Sequence, residues 1–222
     1  MRAIIMADGK ARRWYASVQN KLWGTKLKQL VEVDGEPIIN RTVRLLKENG
    51  IDDIWITSHE EALEIEHTRR FEPEINFDKF YAAKGIWDIH GTVFLYGDVF
   101  YTEEAMKLIL KTPVDRFCFF GQFNVSPLTG HGGEIYGVKI IGHEGFILFG
   151  EAILSVFMHK ELGKGNNGAW EIYRYMCGAR NVAINRNELY GRAHYVEIAD
   201  FTDDFDTPEH YERWLEVYNA NR

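Results

Sequence analysis

The stretch Ala3-Ile4-Ile5-Met6-Ala7-Asp8-Gly9-Lys10-Ala11-Arg12-Arg13 decides the fold. Its apolar beginning predicts a strand buried on both faces. Residues 9–30, which follow this strand, hold six basic and no acidic side chains, although the formal charge of the whole chain is -7. Backbone N–H groups and fixed positive charges at a strand end can bind phosphate oxygens. The stretch therefore predicts a polyphosphate site at the end of the first strand.

The composition is that of an ordinary globular protein. Of the 222 residues, 45% are hydrophobic and 27% are charged, which fits one domain over residues 1–222. We expect a cytoplasmic protein without a secretory signal or membrane span, since no apolar run is long enough for either. The two cysteines, Cys118 and Cys177, then remain reduced thiols. The negative net charge argues against a nucleic-acid partner.

Strand and helix patterns alternate along the chain. The signals are Pro37 in the first turn of a helix that Asn49-Gly50 ends, Thr102 as the cap of a helix that ends before Pro113, and Thr207-Pro208 at the start of a last helix. The predicted strands cover 3–6, 31–33, 51–57, 91–96, 117–120, 135–141 and 195–198, and further helices cover 60–69, 151–159 and 169–177. This order predicts a three-layer α/β fold with a mainly parallel sheet, which binds ligands at the carboxyl ends of its strands.

Three segments at predicted strand ends carry chemistry. They are the cationic loop, the turn Tyr96-Gly97-Asp98, and Asp203-Asp204-Phe205-Asp206 near the end of the chain. Each alone has a structural explanation; Asp206-Thr207-Pro208, for example, is typical of a helix start. Together, cations beside carboxylates suit a nucleoside triphosphate with Mg²⁺, because carboxylates hold the metal and the cations bind phosphate.

These segments resemble the sugar-phosphate nucleotidyltransferases, a superfamily that includes molybdenum-cofactor guanylyltransferase-like enzymes and cytidylyltransferases. The resemblance begins with the opening stretch and continues through 28–39, 49–54 and 95–98 to Asp204-Phe205-Asp206-Thr207-Pro208-Glu209. It implies a Rossmann-like opening and the glycosyltransferase-A-like form of the α/β fold. Residues 121–192 resemble no part of the family, and we expect an acceptor-binding insertion there.

The family's first loop reads Ala-Ala-Gly-x-Gly-x-Arg and is followed by Pro-Lys. By position, the resemblance implies that Arg13 holds the β- and γ-phosphates and that Lys28 contacts the α-phosphate and the acceptor phosphate. It implies that Asp98 and Asp206 hold Mg²⁺, with Asp204 as a substitute ligand. The expected nucleotide-binding residues are Ala7, Asp8, Gly9, Lys10, Ala11, Arg12 and Gly97.

Three residues depart from the family's pattern. Ala11 replaces the second glycine, and its methyl group is expected to crowd a phosphate or to exclude a positive φ. Asp8 places negative charge beside the triphosphate, and Leu27 replaces the proline. These departures keep open the alternative of a nucleotide-binding protein that has lost catalysis.

The resemblance implies transfer of a nucleoside monophosphate to a small phosphorylated acceptor, such as a sugar 1-phosphate or phosphocholine, with release of pyrophosphate. CTP is favoured over other triphosphates, and we expect a monomer or homodimer. Trp170 and Glu171, which follow a glycine-bearing loop, are acceptor-site candidates. A second alternative is a glycosyltransferase that uses a nucleotide sugar, because Asp204-Phe205-Asp206 matches the Asp-x-Asp metal motif.

The remaining candidates are better explained by structure. The eight histidines show no metal-ligand spacing. His59 follows a predicted strand and could line the crevice, but we interpret it as a structural residue. His131 lies in a glycine-rich stretch, which we interpret as a hairpin loop rather than a mobile flap. An aromatic cage of Trp14, Trp87 and Tyr173 would bind a quaternary ammonium group, but core packing is the favoured interpretation.

Overall fold

The computed structural model describes residues 1–9, 11–18, 27–74, 77–163, 168–180, 184, 186, 189–190 and 194–221. In chain order the strands and helices are β1 (Arg2–Met6), α1 (Arg12–Val18), β2 (Glu32–Val33), β3 (Glu36–Pro37), α2 (Ile38–Glu48), β4 (Ile54–Thr57), β5 (Arg69–Phe71), α3 (Lys79–Ala82), β6 (Thr92–Tyr96), β7 (Val99–Phe100), α4 (Glu103–Lys111), β8 (Phe117–Gly121), β9 (Ile135–Ile140), α5 (Gly142–Glu161), α6 (Ala169–Met176), β10 (Tyr195–Glu197), β11 (Asp203–Asp204) and α7 (Pro208–Ala220).

The main sheet has seven strands in the order β10-β8-β9-β6-β1-β4-β5. Strand β1 pairs in parallel with β4 and β6, as do β4 with β5 and β8 with β10, whereas β9 runs antiparallel to both its neighbours. Ala3, Ile4 and Ile5 of β1 are inaccessible to solvent, so the prediction of a strand buried on both faces is confirmed. The predicted α/β class with a mainly parallel sheet is also confirmed.

Most helix boundaries follow the local signals. Thr102 caps α4 by accepting a hydrogen bond from the backbone N–H of Ala105, and Thr207 caps α7 in the same way through His210. The predicted helix over 60–69 is wrong. In its place are a short 3₁₀ turn, Glu61–Leu63, and irregular chain that leads into β5, whose residues 69–71 pair with β4.

Helix α5 begins at Gly142, nine residues before the start predicted at 151. Apolar side chains on this helix are not confined to its buried face. Phe146 and Phe149 are buried, while Ile147 and Leu154 are exposed. Apolar residues on exposed faces weaken the one-sided periodicity from which a helix is predicted.

A small antiparallel pair, β7 with β11, joins two distant segments of the chain. Asp203 lies opposite Phe100, and Asp204 lies opposite Val99. Beyond this pair, the backbone N–H of Phe205 donates to the carbonyl oxygen of Asp98 at 3.2 Å. The pairing therefore places the end of β6 beside the residues that precede α7.

A second hydrophobic cluster anchors this junction. Phe205 is inaccessible to solvent, and its ring lies 5.3 Å from those of both Tyr211 and Trp214 on α7. Burial of Phe205 turns its neighbours Asp204 and Asp206 to the opposite side of the chain, where the site described below lies. The other members of the cluster are Trp14, Val31, Val33, Ile38 and Phe100.

Among the described residues, no helix combines the length and apolar character needed to cross a bilayer.

Candidate active site

A pocket of about 520 Å³ opens where β1 and β6 end. Several predicted site residues line it together: Asp8, Gly9, Ala11, Arg12, Arg13, Lys28, Asp98 and Asp206. A second cavity, of about 280 Å³, adjoins it along Asp8, Gly9, Ala11 and Gln29 and includes Ala7. Lys10 lies outside the described residues. The cationic loop and the two carboxylate segments thus meet at one edge of the sheet.

Two of the three departures from the family's pattern, Ala11 and Asp8, lie in the loop that follows β1. The expectation that a side chain at position 11 would exclude a positive φ is wrong, because Ala11 has a φ of 42°. This conformation costs an L-residue about 1 kcal/mol. The Oδ1 atom of Asp8 lies 2.7 Å from Nδ1 of His59, and this hydrogen bond raises the pKa of His59. Asp8 therefore has a partner for its negative charge.

Gly97 allows the two strand ends to approach each other. Its backbone N–H donates to the carbonyl oxygen of Met6 at 3.0 Å. A Cβ atom here would lie 3.0 Å from the Cβ of Ala7 and 3.3 Å from the Met6 oxygen. Close approach of the backbones is thus one reason for glycine at position 97, and its contact with nucleotide stays a prediction.

Lys28 lies on the 3₁₀ turn Lys28–Leu30 and is only 7% exposed. The turn is held against β1 because Gln29 donates from Nε2 to the carbonyl oxygen of Ala7 at 3.3 Å. The ammonium group of Lys28 contacts the Asp98 carboxylate and lies 3.6 Å from Oδ1 of Asp206. Burial acts to lower the pKa of Lys28, but the charge of Asp98 outweighs it and the pKa is raised.

The pKa of Asp98 moves in the opposite direction. Burial acts to raise it, and the ammonium group of Lys28 lowers it below the ordinary value. Lys28 and Asp98 are therefore both ionised at neutral pH.

Arg13 and Asp206 form the outer part of the site. Nη1 of Arg13 lies 2.7 Å from Oδ2 of Asp206, while the Arg13 side chain is 65% exposed. The segment Asp206-Thr207-Pro208 is a helix start, as its residue types indicate, but the cap of α7 is Thr207 and not Asp206. The Asp206 carboxylate instead contacts the site's cations, and Arg13 lies within reach of a ligand in the pocket.

Behind these residues lie further carboxylates. Asp203 is buried, and its carboxylate accepts hydrogen bonds from the hydroxyl groups of Ser126, Thr129 and Tyr136. Asp204 differs, since its Oδ1 atom is buried and finds no hydrogen-bond donor among the described residues. Burial, followed by the charge of nearby carboxylates, raises the pKa of Asp204 well above its ordinary value.

This donor set fits a divalent cation. The ammonium group of Lys28 lies between Asp98 and Asp206, and Asp204 adds a buried oxygen without a donor. Carboxylate oxygens are the ligands that Mg²⁺ prefers, and a bound ion would neutralise their mutual repulsion. The residues predicted to hold a metal therefore lie where they could do so.

The structure brings three further residues to the site, to which the sequence assigned no role there. His131 lies in the loop of the hairpin formed by β8 and β9, as interpreted from the sequence, and its Nε2 atom also lies 3.4 Å from Oδ2 of Asp206. Glu134 is half-buried, and burial, with the charge of Asp206, raises its pKa to about 7. Lys79 lines the pocket, 4.2 Å above the ring of Tyr96.

No sequence signal connects these residues to the site. His131 and Asp206 are far apart in the chain, so the spacing rules that identify a metal motif do not apply to them. The relevant contacts depend on the pairing of β7 with β11 and on the loop before β9, in which the backbone N–H of Ser126 donates to the carbonyl oxygen of His131 at 2.8 Å.

The acceptor candidates have structural partners. Glu171 accepts from the backbone N–H of Gly168 at 2.9 Å at the start of α6 and lies 3.6 Å from Arg174. Trp170 donates from Nε1 to the carbonyl oxygen of Gly133 at 2.8 Å. These contacts explain both residues structurally, and an acceptor role for them stays a prediction.

The three aromatic residues of the cage hypothesis are distributed through the core. Trp14 belongs to the small cluster around Phe205, and Tyr173 is buried in the main core. Trp87 packs against Phe149, with their ring centroids 5.5 Å apart. The favoured interpretation, core packing, is confirmed.

A scan against protein-family models and a search of curated proteins each find no match. Among solved structures, a nucleotidyl transferase from Methanothermobacter matches with a TM-score of 0.62 at 12% identity, over 100% of this chain and 98% of that one. The fold is that of the nucleotidyltransferases.

Two other nucleotidyltransferase-fold structures have more specific descriptions. A Bacillus anthracis protein described as a glucose-1-phosphate thymidylyltransferase has a TM-score of 0.59 at 15% identity, over 98% of this chain and 94% of that one. The CTP:phosphocholine cytidylyltransferase of Streptococcus pneumoniae has a TM-score of 0.54 at 16% identity, over 98% of each chain. At such identities the likeness concerns the fold.

Proposed function

We propose that this chain is a metal-dependent nucleotidyltransferase. It transfers a nucleoside monophosphate from a nucleoside triphosphate to a small phosphorylated acceptor and releases pyrophosphate. One observation carries the proposal: Arg13, Lys28, Asp98 and Asp206 line a single pocket beside the loop that follows β1. Three separate parts of the sequence supply these residues, and their meeting at one strand edge is difficult to explain by solvation or helix capping alone.

Each of these residues has a distinct task. The backbone of the loop from Ala7 to Arg13 faces the triphosphate, and the exposed guanidinium group of Arg13 binds the β- and γ-phosphates. Lys28 binds the α-phosphate and the acceptor phosphate. Asp98 and Asp206 would hold Mg²⁺, with Asp204 as a substitute ligand. When bound, the ion draws charge from the phosphate oxygens and makes the α-phosphorus more electrophilic.

The reaction needs no general base. An oxygen of the acceptor phosphate, already ionised at neutral pH, attacks the α-phosphorus. The bond between that phosphorus and the oxygen that bridges it to the β-phosphate breaks, and pyrophosphate leaves with the bonding electrons. Since the pKa of Lys28 is raised, its ammonium group stays charged and stabilises the negative charge that develops. Catalysis is then alignment and electrostatic stabilisation.

The loop geometry favours an active enzyme over a nucleotide-binding protein without catalysis. Ala11 adopts the left-handed backbone expected of the glycine that it replaces. Asp8 directs its carboxylate to His59. Two of the three departures that kept the inactive alternative open, Ala11 and Asp8, are thus compatible with the loop's backbone and charge.

The substrates proposed are CTP and a sugar 1-phosphate or phosphocholine. The cytidylyltransferase and the thymidylyltransferase among the structures of the same fold are consistent with either acceptor. We place the sugar 1-phosphate first, because Trp14, Trp87 and Tyr173 pack in the core and form no cage for a quaternary ammonium. We further propose that the protein acts in the cytoplasm as a monomer or homodimer.

The test is pyrophosphate release with each triphosphate, Mg²⁺ or Mn²⁺, and a panel of phosphorylated acceptors. We expect release with one pairing, and its loss in Asp98→Ala and Lys28→Ala. Asp52→Asn, which alters an exposed carboxylate remote from the pocket, is the control. Bound triphosphate without release would instead identify a binding protein, and hydrolysis of a nucleotide sugar would identify a glycosyltransferase.

A further inference from the structure

His131 lies in a group that can hold a metal ion by itself. One ring nitrogen of His131 and one carboxylate oxygen each from Asp204 and Asp206 lie within 4.8 Å of one another. Asp204 and Asp206 are both 8% exposed, and the His131 side chain is 21% exposed. The three residues share one side of the junction between the loop before β9 and the segment before α7.

Two atoms of this group lack hydrogen-bond partners. Nδ1 of His131 and Oδ1 of Asp204 are both buried, and neither finds a partner among the described residues. They lie 3.9 Å apart. Metal bonds to imidazole nitrogen and carboxylate oxygen are about 2.1 Å long, so two ligand atoms of one ion lie at most about 4.2 Å apart. An ion between Nδ1 and Oδ1 would satisfy both atoms.

The ligand chemistry distinguishes this group from an all-oxygen site. Mg²⁺ prefers carboxylates and water, whereas imidazole favours first-row transition metals. We propose that His131, Asp204 and Asp206 form a binding site for a divalent transition-metal ion, which this group favours over Mg²⁺. Asp206 is also one of the two carboxylates proposed to hold the ion beside the triphosphate. The inference rests on the proposed function only for what the ion does beside the triphosphate. Binding of the metal ion to these three residues requires no nucleotide.

A competing explanation is that His131 serves only as a cation. Its ring lies near three carboxylates, those of Asp204, Asp206 and Glu134, the last 3.6 Å from Nδ1. An imidazolium would form ion pairs with them and bind no metal. His131→Lys separates the two explanations, because lysine keeps a positive charge but removes the imidazole ligand. His131→Gln removes both.

The experiment is a titration of the full chain with Co²⁺ alone, followed by visible absorption and repeated with Mg²⁺ as competitor. His194→Gln is the control, because His194 is part-buried and stacks on Phe117 away from the site. We expect Co²⁺ bound to the unmutated protein to resist a tenfold excess of Mg²⁺. We expect its affinity to fall at least about tenfold in His131→Lys and His131→Gln, and to stay unchanged in His194→Gln.

An NMR measurement on the unmutated protein tests the inference even if the variants fail to fold. In the unmutated protein, bound Mn²⁺ should broaden the imidazole NMR resonances of His131 much more strongly than those of His194. Equal Co²⁺ affinity in the unmutated protein and in folded His131→Lys would overturn the inference, as would sharp His131 resonances with Mn²⁺ bound.

The outcomes for function and for metal selection can be told apart. A chain that releases pyrophosphate, but whose Co²⁺ affinity is unaffected by His131→Gln, keeps the proposed function and loses this inference. A chain that binds Co²⁺ through His131 and releases no pyrophosphate keeps this inference and loses the proposed function.

Discussion

Replacing Lys28 with methionine tests the electrostatics of the site. Methionine keeps the length of the buried side chain but removes the ammonium group that contacts Asp98 and lies 3.6 Å from Asp206. At an effective dielectric constant of about 20, a charge pair at this distance interacts with about 4–5 kcal/mol. Removal of one partner from a buried pair typically costs about 3–5 kcal/mol, because the other charge is left without compensation.

We therefore expect metal-free Lys28→Met to lose about 3 kcal/mol of unfolding free energy, measured by urea denaturation monitored by circular dichroism. A divalent ion can take the place of the ammonium group between the carboxylates. At a Mn²⁺ concentration of about 100 times its dissociation constant, binding restores about 2.7 kcal/mol.

Lys47→Met is the matched control for this experiment. Lys47 forms an ion pair with Asp52 on the surface, and exposed pairs of this kind contribute about 1 kcal/mol at most. Lys28 would not be the cation that holds two carboxylates together if the unfolding free energy of metal-free Lys28→Met lay within about 1 kcal/mol of that of the unmutated protein. The same would follow if Mn²⁺ failed to stabilise the variant.

Three further predictions concern stability, each measured by chemical denaturation. Gly97→Ala should cost about 1–3 kcal/mol by crowding Ala7, whereas Gly9→Ala, whose added Cβ meets nothing within 4 Å, should change little; equal effects would contradict the close approach of the strand ends. Ala11→Gly should stabilise the protein by up to about 1 kcal/mol, since glycine adopts the φ of 42° without strain; a clear loss of stability would contradict that backbone conformation. Burial acts to raise the pKa of Asp53, but hydrogen bonds from Arg2 and Trp55 lower it overall, so its stabilisation is complete above about pH 5 and is lost as the pH falls through the lowered pKa. Asp53→Asn should therefore flatten the decline in stability below pH 5, while the exposed neighbour Asp52→Asn should leave that decline intact.

The sequence was sufficient for the architecture because its signals are local. The apolar run of β1, the Thr102 cap and the Thr207-Pro208 start each act within a few residues, and the structure has the corresponding elements. The exceptions have physical causes. The chain over 64–68 is irregular and leads into the edge strand β5 rather than forming a helix, and apolar side chains on exposed faces of α5 weaken the periodicity that would have predicted its first turns.

The site was only partly predictable. Arg13, Lys28, Asp98 and Asp206 each follow a predicted strand or precede a predicted helix, so convergence at one sheet edge follows from the topology of parallel strands. His131 and Glu134 lie in a glycine-rich loop without regular periodicity. Their position depends on which strands pair and on the burial of Phe205, which directs Asp204 and Asp206 toward them.

The most direct test of the central claim is a crystal structure of the protein with a nonhydrolysable nucleoside triphosphate and Mn²⁺. We expect a triphosphate along the loop that follows β1 and an anomalous Mn²⁺ peak within bonding distance of Asp206. A triphosphate bound elsewhere on the protein, or a Mn²⁺ peak remote from both Asp98 and Asp206, would contradict it.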